Sequence, residues 1–183
     1  MDGLGRAEQA AVERVNALLE LLPPALDRHL APTGLTLFEI TLLGRLHASA
    51  QRRLRLTVLA ARTSATLPRL SRVVTRLERR GLVVRRPCEE DARATNALLT
   101  DAGAAAYERA QLTYHAVVRD LILGGLSAQD VERLGMLAHT LVSRLEPQEP
   151  ARAQGGAARQ PWEPASGGAG SSSRTARGVT GPG

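Results

Sequence analysis

The sequence predicts a mainly α-helical protein carrying a short helix–turn–helix followed by a two-stranded hairpin, and three observations support it. Apolar residues recur at three- and four-residue steps over most of residues 7–145, as along amphipathic helices. Gly81 stands where a C′ glycine would close one of these helices. Two β-rich stretches, Leu82–Arg86 and Thr95–Leu99, then flank a polar loop at 87–93. Basic charge concentrates in the same region: residues 45–93 hold 13 arginines against four acids (Glu78, Glu89, Glu90, Asp91), a net +9, while the whole chain carries +6. Two helices joined by a tight turn and then a hairpin make a winged helix-turn-helix, expected here over residues 36–100.

The elements follow in order. Val15, Leu18, Leu19, Leu22, Leu26 and Leu30 give a helix over 7–30, in which Pro23 and Pro24 predict a kink or two abutting helices. Thr36-x-x-Glu39 is a capping box opening a second helix, with Ile40, Leu43 and Leu46 as its stripe and an end near Ala48. A short extended piece at Leu54–Leu56 leads to a brief helix over roughly 57–62 and a turn at Thr63–Ala65. Thr66 is the expected N-cap of the next helix, with Pro68 harmless in its first turn. After the hairpin, Thr100 caps a long helix to about Leu123, Gly124-Gly125 breaks it, and Ser127-x-x-Asp130 opens a final helix ending near Leu145. Val131, Leu134, Ala138, Leu141 and Leu145 of that helix form a seam suited to packing on another helix. From Pro147 the chain holds eight glycines, five prolines and no apolar period, so 147–183 is expected to be a disordered tail on a folded domain of residues 1–146.

Composition narrows the function. Hydrophobic content of 43% and charged content of 23% suit a globular protein, and no apolar run approaches the ~20 residues of a membrane span. With no signal-peptide pattern and one cysteine, Cys88, a reducing cytoplasm is expected. His29, His47, His115 and His139 are scattered without metal-ligand spacing, and no phosphate-binding glycine loop or nucleophile elbow is present. Neither enzymatic activity nor a cofactor is therefore expected. Aromatic residues make up 2% of the chain and none lies in the basic block, which argues against reading single-stranded RNA by base stacking.

In projection at about 100° per residue, Leu70, Val73, Val74 and Leu77 form one core face of helix 66–81. Ser71, Arg72, Thr75, Arg76 and Arg79 lie opposite, with Arg69 and Arg80 at the edge and no carboxylate among them. A solvated helix gains stability by mixing charge signs, whereas like charges at this spacing repel; a polyanion between them would relieve that repulsion. Arginine reaches guanine edges or phosphate, and serine and threonine reach either, so Thr66, Arg69, Ser71, Arg72, Thr75, Arg76 and Arg79 are the candidate DNA contacts on this helix. Arg86 joins them from the first strand, and Arg93 from the loop, where it would enter a narrow minor groove with Asp91 as support.

The stretch LTVLAARTSATLPRLSRVVTRLERRGLVVRRPCEEDARATNALLTDAG resembles the MarR family of bacterial transcriptional regulators. The matching marks are Leu59-Ala60, the run Arg76-Leu77-Glu78-Arg79-Arg80-Gly81-Leu82-Val83, Arg85-Arg86, Asp91-x-Arg93, and Leu99-Thr100-Asp101-Ala102-Gly103, with flanking helices extending the likeness over roughly 7–146. Pro68, Val58 and Glu89 depart from residues common in the family. The resemblance implies a homodimer built from the N- and C-terminal helices (about 7–30 and 101–146), and a winged helix from each protomer on a pseudo-palindromic duplex-DNA operator. It places Arg72 and Arg93 as the recognition-helix and wing arginines. It further implies a repressor released by a small anionic or aromatic effector; Arg28, His29, Phe38 and His47 are the pocket candidates by position, and Cys88 lies in the wing rather than where the family's redox cysteines lie. The contrasting expectation is a winged-helix interaction module that docks an acidic partner protein.

Overall fold

The computed structural model describes residues 3–88, 91 and 94–145. The predicted tail 147–183 and the wing residue Arg93 lie outside the described residues. By internal packing the chain divides into two compact units, Met1–Leu137 and Ala138–Gly183.

Among the described residues there are six α-helices: α1 (Arg6–Leu30), α2 (Leu37–His47), α3 (Leu56–Arg62), α4 (Leu67–Arg79), α5 (Asp101–Val118) and α6 (Ala128–Leu145). Three strands, β1 (Arg53–Arg55), β2 (Val83–Pro87) and β3 (Thr95–Leu99), form an antiparallel sheet in the order β1-β3-β2. The β2–β3 hairpin is the expected one, in register from Val83↔Leu99 to Pro87↔Thr95. The extended piece before α3 becomes a third strand, pairing Arg53↔Leu98, Leu54↔Ala97 and Arg55↔Asn96. Three residues are too few to show a strand's alternation, and a partner more than forty positions along the chain leaves no local mark.

Pro23 and Pro24 sit inside one helix and do not divide it in two. Their missing N–H groups would have served the carbonyls of Leu19 and Glu20, both exposed residues, so water can take the place of the lost donors. The long helix after Thr100 also differs from expectation: α5 ends at Val118 and a π-helical turn covers Arg119–Leu123. The caps are largely as read. Thr36 Oγ1 accepts from Glu39 N at 3.2 Å, Thr100 Oγ1 from Gly103 N at 2.9 Å, and Ser127 Oγ from Asp130 N at 3.2 Å. Thr66 occupies the N-cap position of α4 with extended backbone angles, but its hydroxyl makes no capping bond.

A single apolar core positions the basic region. Leu26 and Leu30 of α1, Leu42, Leu43 and Leu46 of α2, Leu59 of α3, and Leu70, Val74 and Leu77 of α4 are buried together with Val83, Ala97 and Tyr107. The junction between hairpin and α5 is especially close. Thr100 N donates to Leu82 O, Thr100 Oγ1 donates to Gly81 O at 2.7 Å, and a Cβ on Gly103 would stand 2.0 Å from Leu82 O and 2.7 Å from Leu99 Cδ1. Gly81 itself has φ +71°, the left-handed conformation that ends α4.

Gly103→Ala is accordingly expected to lower unfolding free energy by about 2–3 kcal/mol through overpacking against rigid backbone. Gly81→Ala, which meets open space but keeps the positive φ, should lose only about 1 kcal/mol. Urea denaturation of the two variants tests the order; equal losses would show that the α5 junction yields.

Candidate nucleic-acid interface

The helix–turn–helix is built by α3, the turn at Thr63–Thr66 and α4. Thr63 Oγ1 donates to Leu59 O at 2.8 Å and Ala65 N to Ala60 O at 3.0 Å, with Ser64 at φ +50°, so the chain reverses within a few residues. The predicted face of α4, Leu70, Val73, Val74 and Leu77, is buried. This burial turns the opposite side outward, where Thr66, Arg69, Arg72, Arg76 and Arg79 are exposed and Ser71 and Thr75 half-buried.

The arginines from Arg69 to Arg86 fall into two groups. One group is anchored by the protein. Arg76 Nε donates to Glu39 Oε1 at 2.9 Å, and Arg80 Nη1 lies 3.6 Å from the same oxygen while its Nη2 donates to Gly34 O at 2.9 Å. Arg85 Nη1 donates to Glu78 Oε2 at 2.7 Å and Nη2 to Ser71 O at 2.8 Å, fastening β2 to α4. The Arg69 guanidinium stacks 4.6 Å above the Phe38 ring centroid, a cation–π contact. The other group is open: Arg72, Arg79 and Arg86 are exposed and make no hydrogen bond or ion pair with any described residue. The hydroxyls are also partly engaged, since Thr75 Oγ1 donates to Ser71 O at 3.0 Å and Ser71 Oγ accepts from Arg85 at 3.3 Å.

Of these partners, sequence reasoning missed Glu39, which was assigned to capping alone. It is 2% exposed, and the two carboxylate oxygens divide the work: Oε2 accepts from Thr36 N at 2.9 Å, and Oε1 faces the two arginines. A signal was present in the helical period, because Glu39, Leu43 and Leu46 share one face of α2.

Residues 33–94 match the model of the MarR family. Sco3205 of Streptomyces coelicolor, a MarR family transcriptional regulator solved in complex with DNA, superposes with a TM-score of 0.77 and is 33% identical, over 81% of this chain and 94% of the other. The chain belongs to the MarR family. AbsC, a MarR family regulator also from Streptomyces coelicolor, matches at a TM-score of 0.74 and 30% identity over 79% of this chain and 98% of its own. The M. tuberculosis regulator MosR, solved in complex with DNA, matches at 0.60 and 25% identity over 75% and 98%. No curated protein matches the chain significantly in sequence.

The remaining candidate residues lie in different surroundings. Asp91 is exposed, and its carbonyl accepts from Ala94 N at 2.8 Å while Cys88 N donates to Ala94 O at 2.9 Å, drawing the wing strands together. Cys88 is buried. Arg28 and His29 are exposed on the last turn of α1, Phe38 lies beneath Arg69, and His47 Nε2 is 3.4 Å from Glu108 with its ring beside Tyr107. Among the described residues no hydrogen bond, ion pair or ring contact joins any two of these four pocket candidates, and no group of three potential ligands could hold a metal ion. Burial pushes the phenols of Tyr107 and Tyr114 above their ordinary pKa, with Arg45 partly opposing the shift at Tyr107.

The two arginine groups should behave differently in stability. Arg85→Ala removes charge-assisted bonds to both Glu78 and Ser71 and is expected to cost about 1.5–3 kcal/mol, whereas Arg86→Ala should stay within about 0.5 kcal/mol of the parent. Chemical denaturation distinguishes them; matching losses would show that the β2–α4 anchor carries no stability.

Proposed function

We propose that the protein is a duplex-DNA-binding transcriptional regulator acting as a homodimer, with α4 entering the major groove and the β2–β3 wing lying on the flanking minor groove. The observation that carries this is the open arginine group: Arg72, Arg79 and Arg86 stand exposed beside an anchored scaffold, with no hydrogen bond or ion pair to any described residue. Three uncompensated guanidiniums in one region suit phosphates and guanine edges. Thr66, Ser71 and Thr75 supply hydroxyls to the same face, Arg69 and Arg76 flank it from their anchored positions, and Arg93 with Asp91 serves the wing. The DNA complexes of Sco3205 and MosR support the reading by similarity.

The dimer reading is supported by apolar side chains that the protomer leaves uncovered. On α1 these include Val12, Val15, Leu18 and Leu19, and on α6 Leu134, Leu137 and Leu141, each at least 40% exposed. Helices this apolar on an exposed side mark an interaction surface, and a second copy of the same helices would cover them. A two-fold dimer sets the two recognition helices about one DNA turn, roughly 34 Å, apart. A small anionic or aromatic effector then releases the operator only by binding more tightly to a dimer whose spacing does not fit. In this reading the protein is a cytoplasmic repressor without enzymatic activity.

Two measurements test the proposal. Titration of short duplexes at several salt concentrations should give a clearly negative slope of log K against log salt, less steep by about one unit in Arg86→Ala. Arg72→Ala should lose roughly 1–3 kcal/mol of binding to a selected duplex, and Arg93→Ala should lose most on A·T-rich flanks. A slope near zero would instead favour an acidic protein partner. Sedimentation should give the mass of a dimer, reduced to that of a monomer by Leu18→Glu with Leu141→Glu.

A further inference from the structure

We infer that Glu39 is a positioning residue for DNA recognition, one that withholds Arg76 and Arg80 from the phosphate backbone while holding α4 in a defined pose against α2. The inference rests on the DNA-binding reading above and deepens it. Arg76 of α4 and Arg80, which caps its C-terminus, are four residues apart, and both guanidiniums converge on one oxygen of a carboxylate that is 2% exposed. A carboxylate removed from water to this degree strongly favours its cationic partners, because without them nothing would replace the lost hydration of that oxygen. Both arginines remain partly exposed, at 55% and 37% of their side-chain area, so without Glu39 they would be available to a polyanion.

The chemical consequence concerns specificity. Arginines free to move bind any phosphate and raise affinity for every sequence alike, whereas a helix held in one pose discriminates between base edges. Glu39 is tied in turn to the N-terminal turn of α2, where Thr36 N donates to its second oxygen and Asp27 Oδ1 of α1 accepts from Leu37 N at 2.6 Å. The pose of α4 is thereby referred to α2 and α1, not to mobile surface charge.

Glu39→Gln is the direct test, because glutamine at this position still completes a capping box. With its carbonyl oxygen retained on Thr36, its amide N–H groups face the guanidiniums, donor against donor, and both arginines are released. Binding is measured on two probes: a short duplex of mixed sequence, and a duplex enriched by the parent protein from a randomised pool. Glu39→Gln is expected to steepen the salt slope on the mixed duplex by about one to two units and to bind it several-fold more tightly. The affinity ratio of selected to mixed duplex should fall by about tenfold. Glu20→Gln, which adds the same charge at an exposed acid of α1, controls for net charge and should move the slope by less than about half a unit. A Glu39→Gln protein with the parent's slope and ratio would overturn the inference. If that variant does not fold by circular dichroism, Arg76→Gln with Arg80→Gln decides: an unchanged slope with a lowered ratio supports withheld arginines, and a slope shallower by about two units overturns it. A parent protein that binds neither duplex overturns the DNA reading together with this inference, whereas a binding parent with unmoved variants overturns this inference alone.

Discussion

Glu39 carries the one acidic side chain buried among the described residues, and the placement of α4 depends on how its charge is satisfied. Dehydrating a carboxylate is unfavourable by several kcal/mol unless strong donors replace the lost water. Here the donors come from two helices at once. The backbone N–H and hydroxyl of Thr36 serve one oxygen, and the guanidiniums of Arg76 and Arg80 serve the other. A slide or rotation of α4 against α2 would strand that charge. The apolar contact of Leu70, Val74 and Leu77 brings the helices together, and the carboxylate selects among the ways of packing them.

That constraint changes the meaning of the basic block. A net +9 over residues 45–93 suggests a uniformly cationic surface, yet much of it is committed inside the protein. Arg76 and Arg80 answer Glu39, Arg85 answers Glu78, and Arg69 lies on Phe38. A planar guanidinium with five donors suits such bridging, since it can hold a carboxylate and a carbonyl together, as Arg80 and Arg85 do. Between Arg69 and Arg86, the charges left open among the described residues are Arg72, Arg79 and Arg86. An exposed basic face thus rests on a framework of the same residue type, and a chain with no lysine performs both tasks with arginine.

Much of this was legible locally. The capping boxes at Thr36 and Ser127, the Thr100 cap, the C′ glycine at 81 and the buried face of α4 follow from residues within one or two helical turns of each other. Where the reading stopped short, the deciding partner was remote or the environment was not encoded nearby. The Pro23–Pro24 pair stays within α1 because the carbonyls it deprives belong to exposed residues, and exposure is a property of the folded protein. The strand at 53–55 exists because β3 passes beside it.

The sequence by itself determined the helix–turn–helix–hairpin order, the core face of α4 and the concentration of arginine around it. Those properties depend on side-chain periodicity and local capping, which act over a few residues. Only the tertiary structure decided which arginines are anchored and which remain open. Helical projection put Arg72 and Arg76 on the same outward face, four residues apart. The fold separates them, because Glu39, 37 positions before Arg76 in the chain, is brought within 2.9 Å of it, and nothing comparable stands beside Arg72 among the described residues. Charge pairing falls off within a few ångströms in space and takes no account of distance along the chain.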